Sequence, residues 1–309
     1  MLNYSDGDRQ ISFRTGCILM ASLSVARGAS FLFSKYLLSN MEPLNLLGIR
    51  FLIAFAVLFL LFSRKVISDV KANPRIVAVS LLLGIVYFIC MAAELTGLKY
   101  TTAATCSFLE NSAIVIVPIA EAFLLRRLPK PVVLISAVIT FIGIGLIIFN
   151  NSAAGVSSGT PFISSLGLGE LLCIIAALTY AAAIIITDRV SGIYDPLTFG
   201  IIYVGFMGAF GMIASFMTET PHLPQSGTQW VLLLILAIVC TAFGFALQPV
   251  AQKPLTSESA GIICAVNPLT TAVMGWLFMG DALGLSGIVG AALIITGIVL
   301  PNMNTFQAQ

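Results

Sequence analysis

The sequence predicts an all-α integral membrane protein whose ten transmembrane helices form two inverted repeats of five. Three observations support this: an apolar composition, ten apolar segments of bilayer length and an internal repeat. Hydrophobic residues make up 59% of the 309-residue chain and charged residues only 9%, against about 45 to 50% and about 25% in an ordinary soluble domain. This composition excludes a water-soluble globular protein.

Ten apolar segments are long enough to cross the hydrocarbon core of a bilayer, which takes roughly 20 helical residues. The predicted spans, in chain order, are 15–36, 44–63, 76–97, 102–125, 132–150, 166–187, 196–217, 229–250, 258–279 and 285–303. The longer polar stretches between them, at 64–75, 151–165 and 218–228, are too short to be soluble domains. We therefore expect nearly the whole chain to lie in the membrane.

The distribution of basic residues predicts the orientation. With the N-terminus taken as cytoplasmic, the connections on that side carry eleven Lys and Arg and the opposite side carries two, Lys35 and Lys99. Cytoplasmic loops carry the excess of Lys and Arg, so both termini are predicted to face the cytoplasm. The N-terminal residues include Asp6 and Asp8 where a secretory signal would be basic, and we expect no cleaved leader.

An internal repeat at an offset of 153 to 154 residues superimposes span one on span six, and so on through spans five and ten. The matched residues are Gly16 with Gly169, Glu42-Pro43 with Asp195-Pro196, Lys99 with Lys253, Thr102 with Thr256, Ala137 with Ala291 and Gly143 with Gly297. Because each half has an odd number of spans, the second half must be inverted. Such repeats, here 15–150 and 166–303, are typical of transporters with a site near the midplane between the halves.

Arg27 is the most informative charged residue, because it lies near the middle of span one. A charge there costs about 2.5 to 3.5 kcal/mol on insertion scales. Its guanidinium needs an acidic partner or a ligand that carries a carboxylate, so we interpret Arg27 either as a site residue or as half of a structural ion pair. Tyr180 stands at the repeat-equivalent position and is interpreted as a ligand contact or as packing.

Four further polar residues are candidates for the site. Glu110 and Asn111 lie near the middle of span four, and Glu94 and Gln248 stand at equivalent repeat positions in spans three and eight. An unpaired buried carboxylate takes up a proton, so Glu110 either pairs with Arg27 or accepts a proton. For Glu94 and Gln248 the choice is between lining a cavity and being solvated near a helix end.

Other residues of the spans have structural interpretations. Arg50 lies within a few turns of its helix end and is expected to snorkel or pair. Pro118 and Pro268 remove backbone hydrogen bonds in spans four and nine and permit bending.

Several chemistries are excluded by what the sequence lacks. No lysine follows a glycine, so the chain has no phosphate-binding loop, and the single histidine, His222, argues against a histidine metal site or a catalytic triad. The six cysteines lie in apolar runs with no C-x-x-C pair, and the net charge of +2 offers no basic surface for nucleic acid. We expect no cofactor, no metal and no catalytic residue.

Two stretches of the sequence contain recognisable motifs. The first runs from Asn40 to Phe51 and contains a proline followed by an arginine; the second runs from Asn267-Pro268 through Gly280-Asp281 to Thr296-Gly297. In this order the motifs resemble those of the drug/metabolite transporter superfamily with its paired EamA-like domains. The chain departs from the family at two positions. Arg27 precedes Gly28 where the family usually has tryptophan before glycine. Arg127 stands where the first half would be expected to have an acidic residue equivalent to Asp281.

The resemblance implies a central cavity lined by spans one, three, four, six, eight and nine. The candidate residues on these spans are Arg27, Glu94, Glu110, Asn111, Tyr180 and Gln248.

The combined expectation is a secondary transporter in the inner or plasma membrane that moves a small polar metabolite by alternating access. Arg27 with a carboxylate suits an amino acid or another zwitterion, with Glu110 facing the ammonium group or a coupled proton. Export of organic cations or drugs, bound by Glu110 and Glu94, is the alternative, and a membrane-embedded enzyme is a remote one. The substrate, the direction and the coupling ion stay open, as does a homodimer.

Overall fold

The computed structural model of the protein describes residues 12–126, 130–153, 167–279 and 285–300. Within these ranges the chain is helical and contains no strand. The helices are α1 Phe13–Leu37, α2 Pro43–Ala72, α3 Arg75–Tyr100, α4 Ala103–Asn111, α5 Ala113–Leu125, α6 Pro131–Ala153, α7 Leu168–Ser191, α8 Pro196–Thr218, α9 Gly227–Ile235, α10 Gln248–Gln252, α11 Ser257–Ile263, α12 Val266–Met279 and α13 Leu285–Val299.

These helices confirm the predicted fold class. Among the described residues, eight helical stretches are long and apolar enough to cross a membrane, and two shorter apolar helices, Pro131–Leu146 and Leu285–Val299, complete the set of ten. Spans four, eight and nine are each assembled from consecutive helices: α4 with α5, α9 with α10, and α11 with α12.

The second helix continues well beyond its predicted end at residue 63. Its polar extension reaches Ala72, and only Asn73 and Pro74 separate it from α3. Lys65 Nζ lies 3.4 Å from Asp69 Oδ2, one helical turn further on, a spacing that supports an exposed helix. The stretch 64–75 is therefore mostly helix rather than loop. Of the polar stretch predicted at 151–165, residues 154–165 lie outside the described ranges.

Spans four and nine are both interrupted, at equivalent positions of the repeat. The first interruption lies at Ser112 and the second at Cys264 and Ala265. Pro268 accounts for the second, because a proline cannot donate to the carbonyl four residues earlier, which is that of Cys264. Pro118 lies inside α5 and does not account for the first. There the hydroxyl of Ser112 donates to Leu109 O at 2.6 Å, a local bond that competes with regular helix.

Span eight contains an 11-residue π-helical segment, Leu236–Ala246, between α9 and α10. The hydroxyl of Thr241 donates to Leu236 O, five residues earlier, at 2.9 Å. π-Helical turns widen the helix and are frequent at functional sites. The sequence analysis did not predict this segment, which packs against α1 and α2.

The contacts between helices follow the internal repeat. Helix α2 packs on α8, and α6 packs on α13, so each pair joins the equivalent spans of the two halves. Glycines permit these close approaches: a Cβ on Gly48 would lie 2.7 Å from Met212 N, and one on Gly143 would lie 2.7 Å from Gly290 O. Helix α1 packs on α12 as α7 packs on α4. The inverted arrangement thus brings spans one and six to the contact between the halves.

Candidate functional site

Arg27 lies on α1 at the contact between the halves, and it is only 5% exposed. Its guanidinium carbon lies 4.4 Å from the centre of the Tyr180 ring and 4.5 Å from that of Phe245. A Cβ on Gly244 would lie 3.2 Å from Arg27 Cγ, so the glycine in the π-helical segment leaves space for the arginine stem. Aromatic faces attract a desolvated guanidinium, and these contacts fix its plane.

The same guanidinium donates hydrogen bonds to both halves of the molecule. Nη1 donates to the hydroxyl of Tyr180 and to Gln248 Oε1 at 3.3 Å. Nη2 lies 3.4 Å from Glu110 Oε1 and forms a buried salt bridge with it. The sequence-predicted residues Arg27, Glu110, Tyr180 and Gln248 therefore meet, and we call them the central cluster.

The contacts within the cluster follow the repeat. Tyr180 stands at the position equivalent to Arg27, and Cys264 at the position equivalent to Glu110. The Arg27–Glu110 salt bridge of the first half is matched in the second half by a 3.1 Å contact between the Tyr180 hydroxyl and Cys264 Sγ. Because Arg27 also bonds to its own equivalent, Tyr180, the central cluster lies at the pseudo-twofold axis.

The other two predicted site residues lie beside the cluster without bonding to Arg27. Glu94 on α3 is 3% exposed and interacts electrostatically with Glu110 and with Arg50. Asn111 follows Glu110 at the end of α4, and its amide nitrogen donates to Ser107 O at 2.7 Å. Glu94 and Gln248 are both buried, so the interpretation that they are solvated near helix ends is wrong.

Three polar atoms of the six predicted site residues have no hydrogen-bond partner among the described residues, although they are buried. They are Glu110 Oε2, Asn111 Oδ1 and Gln248 Nε2. Buried polar atoms are nearly always paired, and an unpaired one costs about 1 to 3 kcal/mol. The set comprises acceptors and a donor, so the region has hydrogen-bonding capacity for a further polar group.

The structure corrects the interpretation of Arg50. Arg50 was expected to snorkel or to pair, but it is 0% exposed, because α2 turns this face toward α8 and the π-helical segment, and it forms no salt bridge with a described residue. Its Nη1 donates to Ser34 Oγ at 3.3 Å, and its guanidinium carbon lies 4.9 Å from the Phe51 ring centre. A signal was present in the sequence, since Arg50 aligns with Tyr203 just as Arg27 aligns with Tyr180.

Two tyrosines of the site were missed by sequence reasoning. Tyr87 on α3 and Tyr203 on α8 are fully buried and stack with ring centres 5.1 Å apart. The hydroxyl of Tyr203 donates to the carbonyl of Phe245, the residue whose ring covers Arg27. These two side chains support the aromatic wall of the central cluster, and nothing in their local sequence distinguishes them from packing residues.

The titratable side chains of the described ranges form no group of three or more His, Cys, Asp or Glu that could hold a metal ion. All six cysteines are buried and free. His222 lies in the loop before α9, where its carbonyl accepts a hydrogen bond from Asn45 Nδ2 at 2.8 Å. The side chains of the central cluster are joined by an ion pair and by hydrogen bonds.

Several known proteins resemble the chain over nearly its whole length. An uncharacterized transporter of Archaeoglobus fulgidus is 25% identical, covering 94% of this chain and 98% of that protein. The uncharacterized inner membrane transporter YicL of Salmonella typhimurium is 25% identical, covering 95% and 97%. A solved crystal structure that is 15% identical, with a TM-score of 0.75 and coverage of 95% and 98%, shares the fold.

A family model places these resemblances in one group. The model for the EamA-like transporter family matches the chain twice, at residues 14–149 and 167–303. The two matches cover most of the chain and fall on the two halves that meet at the central cluster. The protein belongs to the EamA-like transporter family, and it is a multi-pass membrane transporter.

Proposed function

We propose that the protein is a secondary transporter that moves a small zwitterionic metabolite, such as an amino acid, by alternating access. The two repeats, 15–150 and 166–303, are the bodies that move against each other. The observation that carries this proposal is that buried Arg27 pairs with Glu110 of its own half and bonds to Tyr180 and Gln248 of the other half. Opening the site toward either side of the membrane changes the contacts between the halves, and therefore changes the partners of Arg27.

The charge balance of the buried region supports a zwitterion. Arg27, Arg50, Glu94 and Glu110 are all buried, and two arginines offset two carboxylates. A zwitterion adds a carboxylate and an ammonium group without adding net charge, and each of its ends has an oppositely charged side chain available. The proposed binding residues are Arg27, Glu94, Glu110, Asn111, Tyr180 and Gln248. An organic cation would add a net charge to a low-dielectric site, which is costly unless a proton leaves.

We further propose that Glu110 couples transport to protons. Exclusion of water favours the neutral acid, and hydration favours the anion. A carboxyl group that alternates between an occluded state and a hydrated state therefore binds a proton in one and releases it in the other. Glu110 is 1% exposed here and keeps one oxygen without a partner among the described residues, and this oxygen can take up a proton when the ion pair with Arg27 opens.

The proposed orientation places both termini in the cytoplasm, with the chain in the cell membrane. Its basis is the excess of Lys and Arg on one side of the predicted spans. A reporter fused after Gln309 should be cytoplasmic and one inserted near Ser157 should be outside, both sites lying beyond the described ranges. Both reporters on one side would contradict the inverted arrangement.

The proposal is tested with purified protein in liposomes, by uptake of radiolabelled amino acids with and without a pH gradient. Lysine keeps the charge of Arg27 but lacks the planar fork whose two terminal nitrogens reach Tyr180 and Gln248 on one side and Glu110 on the other. Losing one charge-assisted hydrogen bond costs about 1.5 to 3 kcal/mol, so Arg27→Lys should lower transport about tenfold to a hundredfold. Folded, monodisperse protein should stay near the wild-type amount.

The matched control is Arg64→Lys on an exposed face of α2, which should leave transport unchanged. If Arg27→Lys loses folded protein in proportion to activity, Arg27 only supports the fold. If the wild type takes up organic cations and no zwitterion, the proposed substrate class is wrong.

A further inference from the structure

Arg50 is a fully buried arginine whose guanidinium is only partly used by the protein. Its Nη1 donates to Ser34 Oγ at 3.3 Å. Its Nε and Nη2 have no hydrogen-bond partner among the described residues, although the side chain is shielded from the surface. Hydrogen bonds that involve a charged group contribute about 1.5 to 3 kcal/mol, so two unpaired guanidinium donors in the interior point to a partner that binds during function.

The two unpaired donors, Nε and Nη2, lie on the same edge of the guanidinium group. In the planar guanidinium, the N–H of Nε and one N–H of Nη2 lie parallel on the same edge, on the side away from Nη1. This edge matches the two oxygens of a carboxylate and binds it through two parallel hydrogen bonds. The bond to Ser34 holds the opposite side of the group. Arg50 therefore presents an intact bidentate edge rather than scattered unpaired atoms.

Arg27 differs from Arg50 in this respect. Both of its terminal nitrogens are taken by protein side chains: Nη1 by Tyr180 and Gln248, and Nη2 by Glu110. A substrate carboxylate that took the place of Glu110 at Nη2 would leave that buried carboxylate unpaired. Arg27 is suited to link the halves, and Arg50 is suited to take a ligand.

The nearest candidate for the opposite charge is Glu94. It is the carboxylate that acts most strongly on Arg50, yet no Asp or Glu oxygen of the described ranges lies within 4.0 Å of a guanidinium nitrogen of Arg50. The two side chains thus form a buried pair of opposite charges that are not in contact. A molecule with a carboxylate at one end and an ammonium at the other matches such a pair.

We propose that Arg50 is the carboxylate receptor of the transport site, gripping the substrate carboxylate through Nε and Nη2 while Glu94 faces the ammonium group. This assignment rests on the proposed transport of a zwitterion and specifies which arginine reads its anionic end. Arg27 then acts as a positioning residue that keeps Glu110 and the second half in place. Ser34 orients the receptor from α1.

The test compares each amino acid of a panel with its amide, which keeps the ammonium group but lacks the carboxylate. Binding is measured by thermal shift of the purified protein and by competition for uptake in liposomes. The wild type should bind the acid at least about tenfold more tightly than the amide, since one strong bidentate pair is at stake. In Arg50→Lys, affinity for the acid should fall about tenfold to a hundredfold while affinity for the amide stays the same. The preference for the acid should disappear.

Two variants serve as controls. Arg64→Lys makes the same substitution at an exposed arginine of α2 and should keep the preference for the acid. Arg27→Lys should lower transport and keep the preference in binding. If Arg50→Lys does not fold, the double variant Arg50→Gln with Glu94→Gln removes both charges together, and it should bind acid and amide equally.

The outcomes separate this inference from the proposed function. A preference for the acid that survives in Arg50→Lys and is lost in Arg27→Lys would overturn the role of Arg50, while transport of a zwitterion would stand. Uptake of amides and amines by the wild type with no binding of any carboxylate would overturn both. A lost preference in Arg50→Lys with retained amide binding supports the receptor role.

Discussion

The two halves of the protein share a helical arrangement but differ in charge. At four equivalent buried positions the first half has Arg27, Arg50, Glu94 and Glu110, and the second half has Tyr180, Tyr203, Gln248 and Cys264. The helix interruptions at Ser112 and at Ala265 are nonetheless equivalent, and so are the contacts between the halves. The repeat therefore preserves shape, while the Arg and Glu residues of these positions occur only in the first half.

Electrostatics explains why a second copy of Arg27 would be unfavourable. Arg27 bonds to its own repeat equivalent, so an arginine at position 180 would place two guanidinium groups in contact inside the membrane. Like charges that meet in a low-dielectric region repel strongly. A tyrosine at that position accepts the hydrogen bond and also offers an aromatic face. In the proposed alternating-access cycle, a single set of charges at the contact between the halves serves both sides of the membrane.

The largest effect on transport is expected when Glu110, one of the charged residues that only the first half has, is made neutral. Glu110→Gln mimics the permanently protonated acid, so uphill, gradient-driven accumulation of substrate should disappear. Exchange at equal pH should partly survive, because Tyr180 and Gln248 still hold Arg27. The measurement is uptake into liposomes with a pH gradient, compared with counterflow at equal pH. The control is Glu121→Gln on α5, because Glu121 is less buried than Glu110. This change should leave both uphill accumulation and exchange intact.

Two other outcomes are informative for Glu110. Breaking a buried ion pair by removing one partner costs about 3 to 5 kcal/mol. If Glu110 only balances Arg27, both transport modes should fail together, and Arg27→Gln combined with Glu110→Gln should restore folded protein without restoring transport. A Glu110→Gln protein that concentrates substrate as well as the wild type would remove Glu110 from the coupling mechanism.

The residues that sequence reasoning found are those whose local context is improbable. Arg27 and Glu110 stand out because a charge inside an apolar run needs a partner, and the repeat offset then identified Tyr180 and Gln248. Arg50 also lies in an apolar run, but its position near a helix end suggested access to the surface. Only the packing of α2 against α8 and the π-helical segment shows that it is buried.

The interruption at Ser112 and the π-helical segment could not be predicted for a related reason. The run Ala113–Leu125 is as apolar as its neighbours, and its proline lies away from the break. Residues Leu236–Ala246 have no proline, so no local signal distinguishes π-helical from α-helical hydrogen bonding. The π-helical segment is contacted by a side chain from a distant part of the chain, since Tyr203 donates to the carbonyl of Phe245.

A smaller effect is expected at two glycines that test whether the halves are equivalent in shape. Gly143 and Gly297 occupy matching repeat positions, and a Cβ would lie 2.7 Å from Gly290 O at the first and 2.9 Å from Ser136 O at the second. Because backbone atoms cannot easily move aside, each glycine-to-alanine change should destabilise the protein by about 1 to 3 kcal/mol. Thermal unfolding in detergent measures this.

Gly192→Ala is the matched control, since a Cβ there meets nothing within 4 Å. Its unfolding temperature should stay near that of the wild type. If only one of the variants Gly143→Ala and Gly297→Ala is destabilised, the close contact between α6 and α13 is not equally tight at the two equivalent positions. The two halves would then not be equivalent at this contact.

The smallest effect concerns the acid–proline pair that begins α2 and α8. Asp195 caps α8 by accepting a hydrogen bond from Thr198 N at 2.9 Å and pairs with Lys65 at 2.9 Å. Its counterpart Glu42 makes no capping bond and pairs with Lys99 at the surface. Losing a cap costs about 0.5 to 2 kcal/mol, whereas an exposed ion pair contributes about 0 to 1 kcal/mol. Asp195→Ala should therefore lower the unfolding temperature more than Glu42→Ala does.

The pH dependence of the Asp195 effect tests its electrostatic origin. Burial acts to raise the pKa of Asp195, but the hydrogen bonds from Lys65 and from Thr198 outweigh it and hold the pKa below the ordinary range. A carboxylate with a lowered pKa stabilises the folded state above its unfolded value, and this contribution disappears as the pH falls through the lowered pKa. The gap in unfolding temperature between wild type and Asp195→Ala should thus be full near neutral pH and shrink below about pH 4. A gap that is independent of pH would assign the effect of Asp195 to the geometry of the cap alone, and the charged pair with Lys65 would contribute nothing.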